Sequence, residues 1–179
     1  MLFDSSFKEI FSAQIVSLIA GLFAGTLLAI YTDKLLLLPG ILLLLPGFLE
    51  LRGNISGSFA SRLSSGLFLK VIHPNKLNTK IIHSNLFASF FLAIVICLVL
   101  GVITFLFDYF FMGIVMVKII LLPLIAGVIA NGIEITLTLF STVYFFKKGH
   151  DPNNIMGPLI TSTGDITSII SLFIALAII

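Results

Sequence analysis

Five apolar stretches, each about long enough to cross a lipid bilayer, follow one another along this chain with only short polar segments between them. A hydrocarbon core about 30 Å thick takes roughly 20 apolar residues to cross as a helix. Lipid offers no hydrogen bonds, so a crossing segment must satisfy its own backbone groups, which a helix does. Composition agrees: 59% of the 179 residues are apolar and 10% are charged, whereas a soluble domain is about a quarter charged. A soluble fold is thereby excluded, and little chain remains for an aqueous domain. The single cysteine, Cys97, rules out a disulfide framework within one chain and a cysteine metal cluster. A net charge of +2 gives no reason to expect nucleic acid as a partner.

The polar lead, residues 1–10, lacks the basic start of a secretory signal, and the apolar run after it is too long for one. The expected spans are 11–31, 41–69, 84–107, 114 or 118 to 146, and 154–179. Pro46-Gly47 predicts an irregular second span. Pro123 and Asn131-Gly132 interrupt the fourth, and Pro158 falls in the first turns of the fifth. No repeat or Ser/Gly linker divides the chain, so residues 1–179 read as one all-α membrane domain of five transmembrane helices, the second and fifth broken or irregular, without a cytosolic regulatory domain. Lys8, Lys70, Lys76, Lys80, Lys147 and Lys148 fall on one side, Lys34 and Lys118 on the other. The positive-inside rule then puts the N-terminus in the cytoplasm and the C-terminus outside. Tyr31, Tyr109 and Tyr144 all fall at span ends, where amphipathic rings favour the interface.

Function is written in the residues that lipid does not tolerate. Glu50, Arg52, Arg62, Glu134 and Asp165 lie within spans two, four and five. Each charge at mid-bilayer costs about 2.5–3.5 kcal/mol on the insertion scale unless a partner or water meets it. Glu50, Asn54, Ser58, Ser61 and Ser65 recur at helical spacing on one face of the second span. Gly53 and Gly57, a Gly-xxx-Gly pair on an adjacent face, permit close helix approach. In the fifth span Gly157, Thr161, Asp165 and Ser168 share a face. Both faces read as walls of a water-accessible path. The serines and Asn54 also suit interhelical hydrogen bonds. Asp165 is too far from either end of its span to snorkel, so it needs either an arginine partner or a place on the path. Glu134 is equally suited to pairing with an arginine of the second span. Arg52 and Arg62 are expected to find structural partners or an interface. The basic segment 73–85 reads as a loop at the headgroups, and His73 and His83 lack a third ligand for zinc. Asp151, with Asn153 and Asn154, is the acid at the mouth of the fifth span, and Asp followed by Pro152 also starts a helix well.

The run Leu49-Glu50-Leu51-Arg52-Gly53-Asn54-Ile55-Ser56-Gly57-Ser58-Phe59-Ala60-Ser61-Arg62-Leu63-Ser64-Ser65-Gly66 resembles the Gly-Asn segment in the second helix of MgtE-type magnesium transporters, closest to archaeal members and eukaryotic solute-carrier relatives. The run from Asp151-Pro152-Asn153-Asn154 through Pro158 and Thr161-Ser162-Thr163-Gly164 to Asp165 resembles the fifth-helix signature of the same family, which ends in the pore aspartate. The two motifs stand in the family's order and cover, with the spans between, nearly the whole chain. The resemblance implies a homodimer, or a pairing with a homologous five-helix chain, in which helices two and five line a central cation path. It matches Asp165 to the pore acid and Asn54 to the motif asparagine. It also implies transport of a divalent cation, Mg²⁺ above others, with no organic cofactor, by a multi-pass protein of the cell membrane. Bacterial members carry a large cytoplasmic sensor, which the ten residues before the first span are too short to supply.

Oxygen ligands suit that cargo, because Mg²⁺ keeps several waters and takes one or two carboxylates. The candidate metal-facing residues are therefore Asp165, Asn54, Thr161, Ser58, Glu134 and Asp151. Two other classes compete. Gly164-Asp165 is similar to the Gly-Asp of membrane aspartyl proteases, but the other aspartates, Asp4, Asp33, Asp108 and Asp151, stand at span ends or in loops, so no catalytic pair forms. A non-transporting membrane scaffold does not require the polar stripes.

Overall fold

The structure, a computed structural model, describes residues 5–179, with the backbone alone at Lys34. The first four residues of the polar lead, Asp4 among them, lie outside the described residues, as does the side chain of Lys34. Helix α1 spans Ser5–Ile30 and is followed by the single turn α2, Thr32–Leu35. Helix α3 covers Ile41–Phe68 and α4 Lys80–Phe107, the latter continued by a π-helical turn, Asp108–Met112. Helices α5, Lys118–Lys147, and α6, Pro152–Ile178, complete the chain. No strand occurs among the described residues. The long helices hold 26 to 30 residues, or about 39–45 Å at about 1.5 Å per residue. By length and composition α1, α4, α5 and α6 suffice to cross a membrane. Helix α3 has the length, but its second half carries the arginines, serines and Asn54.

The helix ends follow local chemistry. Gly40, at φ 76°, starts α3 from a backbone region that a side chain would strain, and the carboxyl of Asp108 packs where its Cβ would be. The Thr79 hydroxyl accepts from the Ile82 amide at 3.4 Å to cap α4. Asp151 Oδ1 accepts from the Asn153 amide at 2.9 Å, and Pro152 opens α6.

Contacts between helix ends establish an up-and-down bundle. The N-terminal ends of α1 and α6 meet through Glu9 and His150. Their C-terminal ends meet through Tyr31 and Phe173. Phe68 and Phe146 join the C-terminal ends of α3 and α5. Lys118 donates to the Ile179 carbonyl at the opposite end. Lys8, Lys70, Lys76, Lys80, Lys147 and Lys148 therefore share one end of the bundle.

Helices α3, α4, α5 and α6 pack on one another, whereas α1 lies outside against α6. Ala24 is the single fully buried residue of α1. Small residues set the close crossings. A Cβ at Gly101 of α4 would lie 2.6 Å from the Ile120 carbonyl oxygen of α5, and one at Gly164 of α6 would lie 3.4 Å from Arg52 Cβ of α3. One apolar core gathers Leu44, Phe48, Cys97, Leu122, Ala126 and Leu172. A second, toward the basic end, gathers Phe59, Leu63, Leu67, Ile82, Ile135 and Leu139.

The structure corrects the expected breaks. Helices α3 and α6, the second and fifth long helices, run unbroken through Pro46 and Pro158. Helix α5 continues through Pro123 and Asn131-Gly132. All three prolines stand in the second turn of their helices, where the carbonyl each leaves unpaired belongs to the first turn, so the hydrogen-bond ladder beyond continues unbroken. Helix α4 also begins at Lys80, so part of the expected basic loop is helical.

The close α4–α5 crossing has a direct check. Gly101→Ala is expected to lower stability by about 1–3 kcal/mol through overpacking. Gly21→Ala, on a face of α1 with nothing within 4 Å, should leave it unchanged or raise it by up to about 1 kcal/mol. Unfolding midpoints in one detergent compare the two, and equal stability would show that the crossing has room for a methyl group.

Candidate functional site

Arg52 sits at the centre of the bundle, 1% exposed. Its Nη1 donates to the Gly127 carbonyl of α5 at 3.1 Å, and its Nη2 to the Cys97 sulfur of α4 at 3.5 Å. The guanidinium also lies over the Phe48 ring, 5.5 Å from its centroid. A cation so deeply placed needs such partners, because the apolar interior replaces none of its hydration. Arg62, by contrast, is exposed and donates to the Ser89 hydroxyl at 3.0 Å. Both arginines thus have the structural partners the sequence predicts, and neither forms an ion pair with Asp165 or Glu134.

Glu134 is fully buried on α5. Its two oxygens accept from the hydroxyls of Thr163 at 2.9 Å and Thr167 at 3.3 Å, both on α6. Each hydroxyl also lies within reach of its own helix, Thr163 at 2.9 Å from the Leu159 carbonyl and Thr167 at 3.1 Å from that of Gly164. A hydroxyl has one proton, so it serves the carboxylate or the carbonyl at any moment. Thr163 and Thr167 flank Asp165 by two residues on either side, about 200° around the helix. Tying them to Glu134 turns Asp165 the other way, out of the α5 contact, where it is half-buried.

Asp165 and Thr161 belong to a face of α6 that runs beside α3. Asn153 and Gly157 of α6 share a cleft of about 210 Å³ with Gly57 and Ser61 of α3. One turn further, a Cβ on Gly53 would lie 3.9 Å from Thr161 Oγ1. The antiparallel pair therefore advances in steps of four residues, 61, 57 and 53 against 153, 157 and 161. The next step brings Leu49 and Glu50 level with Asp165. Glu50, Asn54, Ser58, Ser61 and Ser65 are all exposed on the protomer, as is Thr161. Large apolar side chains are exposed at both ends of α3 and over much of α1 and α4. The Thr161 hydroxyl donates to the Gly157 carbonyl at 3.0 Å, which leaves its lone pairs facing outward.

Thr161 thus stands against Gly53 at the α3–α6 contact, with Asn54 and Ser58 exposed on α3 and Asp165 half-buried one turn further along α6, while Glu134 is buried on α5 and held by Thr163 and Thr167. Ser168, placed by spacing on the same face as Asp165, is instead buried in the bundle. Asp151 stands at the basic end of the groove as the cap of α6, with Oδ1 also accepting from the Asn153 side chain at 3.0 Å. Among the described residues no three His, Cys, Asp or Glu side chains converge. The chain by itself therefore offers a sparse set of oxygens, suited to an ion that keeps most of its water.

One polar cluster escapes sequence reasoning. Glu9 Oε1 bonds His150 Nδ1 at 2.7 Å, and Oε2 accepts from the Asn154 side chain at 3.0 Å. The partners are some 140 residues apart, and no local spacing foretells the pairing.

The sequence pattern of the MgtE family, described as divalent cation transporter, matches residues 45–175. The match takes in both motif runs and four of the five long helices. No curated protein and no solved structure matches the chain.

The different settings of the two arginines are expected to separate on truncation. Arg52→Ala should cost roughly 2–5 kcal/mol, from the cavity and the acceptors it leaves. Arg62→Ala should stay within about 1 kcal/mol. Unfolding of both variants in one detergent provides the measurement, and equal losses would contradict the central placement of Arg52.

Proposed function

Because the chain belongs to the MgtE family of divalent cation transporters, we propose that its cation, Mg²⁺ above others, crosses the membrane along the α3–α6 groove. The chain is a multi-pass membrane protein of a transporter family and not an enzyme. One observation carries the proposal. The polar stripe of α3 runs exposed on the helix face next to Gly53, which meets Thr161 of α6, in a chain whose exposed surface is elsewhere rich in large apolar side chains. Lipid does not solvate that stripe, so water, a cation and a second protein surface are its natural company.

In this reading Asp165 supplies the fixed negative charge, with Glu50 level with it. Asn54, Ser58 and Thr161 supply neutral oxygens to the waters of a hydrated ion, which fits an ion that sheds its water reluctantly. A second copy of the chain, related by a two-fold axis along the groove, closes the path and brings a second Asp165 to it. A homologous five-helix chain serves equally in that place. Helix α3 then crosses together with the other four long helices, shielded on its polar face by the partner, and the basic end faces the cytoplasm. Glu134 acts behind the path, holding α6 in rotation through Thr163 and Thr167, while Asp151 caps α6 at the cytoplasmic mouth.

Asp165→Asn keeps the shape of the side chain and removes its charge. Divalent cation flux into proteoliposomes is expected to fall by at least about tenfold, equivalent to about 1.4 kcal/mol, with the elution profile unchanged. Near-normal flux in a folded variant would remove Asp165 from the path. A shared groove is checked separately. Ser58→Cys in a Cys97→Ala background should cross-link between chains in native membranes, and Leu18→Cys on the outer face of α1 should not. Absence of any Ser58 cross-link would contradict the dimer.

A further inference from the structure

On the side of α6 away from α3, the outlying helix α1 leaves a groove of about 420 Å³ at the basic end of the bundle. Its walls are Ala13 and Val16 of α1, Phe145 of α5, and Ile155 and Leu159 of α6. Lys8, Glu9 and His150 stand at its polar rim. We propose that this groove is a binding site for an anionic phospholipid, with an acyl chain along the apolar walls and the phosphate at the rim.

The chemistry of the rim selects the headgroup. Glu9, the one acid among the lining residues, is occupied on both oxygens by His150 and Asn154. Lys8 is exposed and has no acidic partner among the described residues. Lys147 and Lys148, both exposed, lie between Phe145 and His150 in the turn that closes the same end. With Lys8 at the rim and Lys147 and Lys148 in the adjoining turn, against Glu9 and Asp151, this end carries an excess of positive charge beside an apolar crevice between helices, the combination that takes up anionic headgroups at the cytoplasmic leaflet. A free anion would leave the apolar walls uncovered, and a chain without charge would leave the lysines uncompensated. A lipid of the adjoining leaflet meets both demands.

The site bears on the helix that carries Asp165. Ile155, Leu159 and Asn154 belong to the first two turns of α6. Occupancy of the groove thus props α1 and α6 against each other at the end where their polar tie is Glu9 with His150 and Asn154. The placement rests on the groove itself and stands whether or not α3 and α6 line the cation path.

The chain contains no tryptophan, so Phe145→Trp introduces a single indole in the groove wall. The variant is reconstituted into phosphatidylcholine vesicles containing equal mole fractions of either chain-brominated phosphatidylglycerol or chain-brominated phosphatidylcholine. Quenching is expected to show a several-fold preference for the brominated phosphatidylglycerol, as lysines near a phosphate imply. Adding Lys8→Gln, Lys147→Gln and Lys148→Gln together should abolish the preference, and Ala13→Phe, which fills the crevice, should reduce quenching by both lipids. Should Phe145→Trp not fold, Ile155→Trp reports from the facing wall. Equal quenching by the two headgroups, or a preference that survives loss of all three lysines, would overturn the site and leave ordinary annular lipid.

Discussion

The buried guanidinium of Arg52 is the contact on which the arrangement of four helices depends. From α3 it donates to a backbone carbonyl of α5 and to the sulfur of α4, while Gly164 brings α6 against its stem. Between helices in lipid there is little hydrophobic drive to associate, so packing and hydrogen bonds determine which faces meet. A charge that finds its partners at one rotation and depth of α3 therefore selects that rotation. Misplaced by a turn, Arg52 would lie among apolar side chains at a cost of several kcal/mol. The glycines complete the selection. Gly127 and Gly164 leave room for the side chain, and Gly101 lets α4 and α5 close beside it.

With α3 held in this way, its two faces take different environments. Phe48, Arg52, Ile55, Phe59 and Leu63 turn inward, and the Glu50–Asn54–Ser58 stripe turns out beside α6. Helix α6 is divided in the same manner. Thr163 and Thr167 are held by Glu134 toward α5, and Thr161 and Asp165 are left toward the groove. Glu134 and Arg52 are the anion and cation of one buried interior, yet each is met by neutral groups of neighbouring helices, without an ion pair between them and with the Arg52 Nε left unpaired. Neutral partners hold a geometry without requiring two long side chains to meet, which suits a helix whose rotation decides where a carboxylate points.

The bundle also differs in cohesion from one side to the other. Helices α3 to α6 interlock, whereas α1 has little buried surface and rests on α6. Its tie at the basic end consists of Glu9 with two side chains of the α5–α6 turn and α6. A helix attached along one neighbour leaves crevices on both flanks, which lipid fills in a membrane. The interlocked side carries the polar groove and the loose side the apolar one, so α6 stands between two quite different surfaces.

Much of this was legible before any coordinates. Long apolar runs specify helices because lipid cannot satisfy a backbone, and the 3.6-residue period places Glu50, Asn54 and Ser58, or Thr161 and Asp165, on common faces. The capping role of Asp151 was open to the same reading, since Asp-Pro is a local signal. The prolines misled it, because a missing hydrogen bond predicts a break in a helix interior, whereas each proline here falls early enough in its helix for the ladder to continue past it. Partner choice could not be read at all. Periodicity says which residues share a face, but not which neighbouring helix that face meets or at what depth. Whether Glu134 would meet Arg52 or Thr163 and Thr167, and whether Glu9 would find His150, depended on the register of antiparallel helices. That register is set by glycine crossings and buried donors far apart in the chain, and so only the tertiary structure decided it.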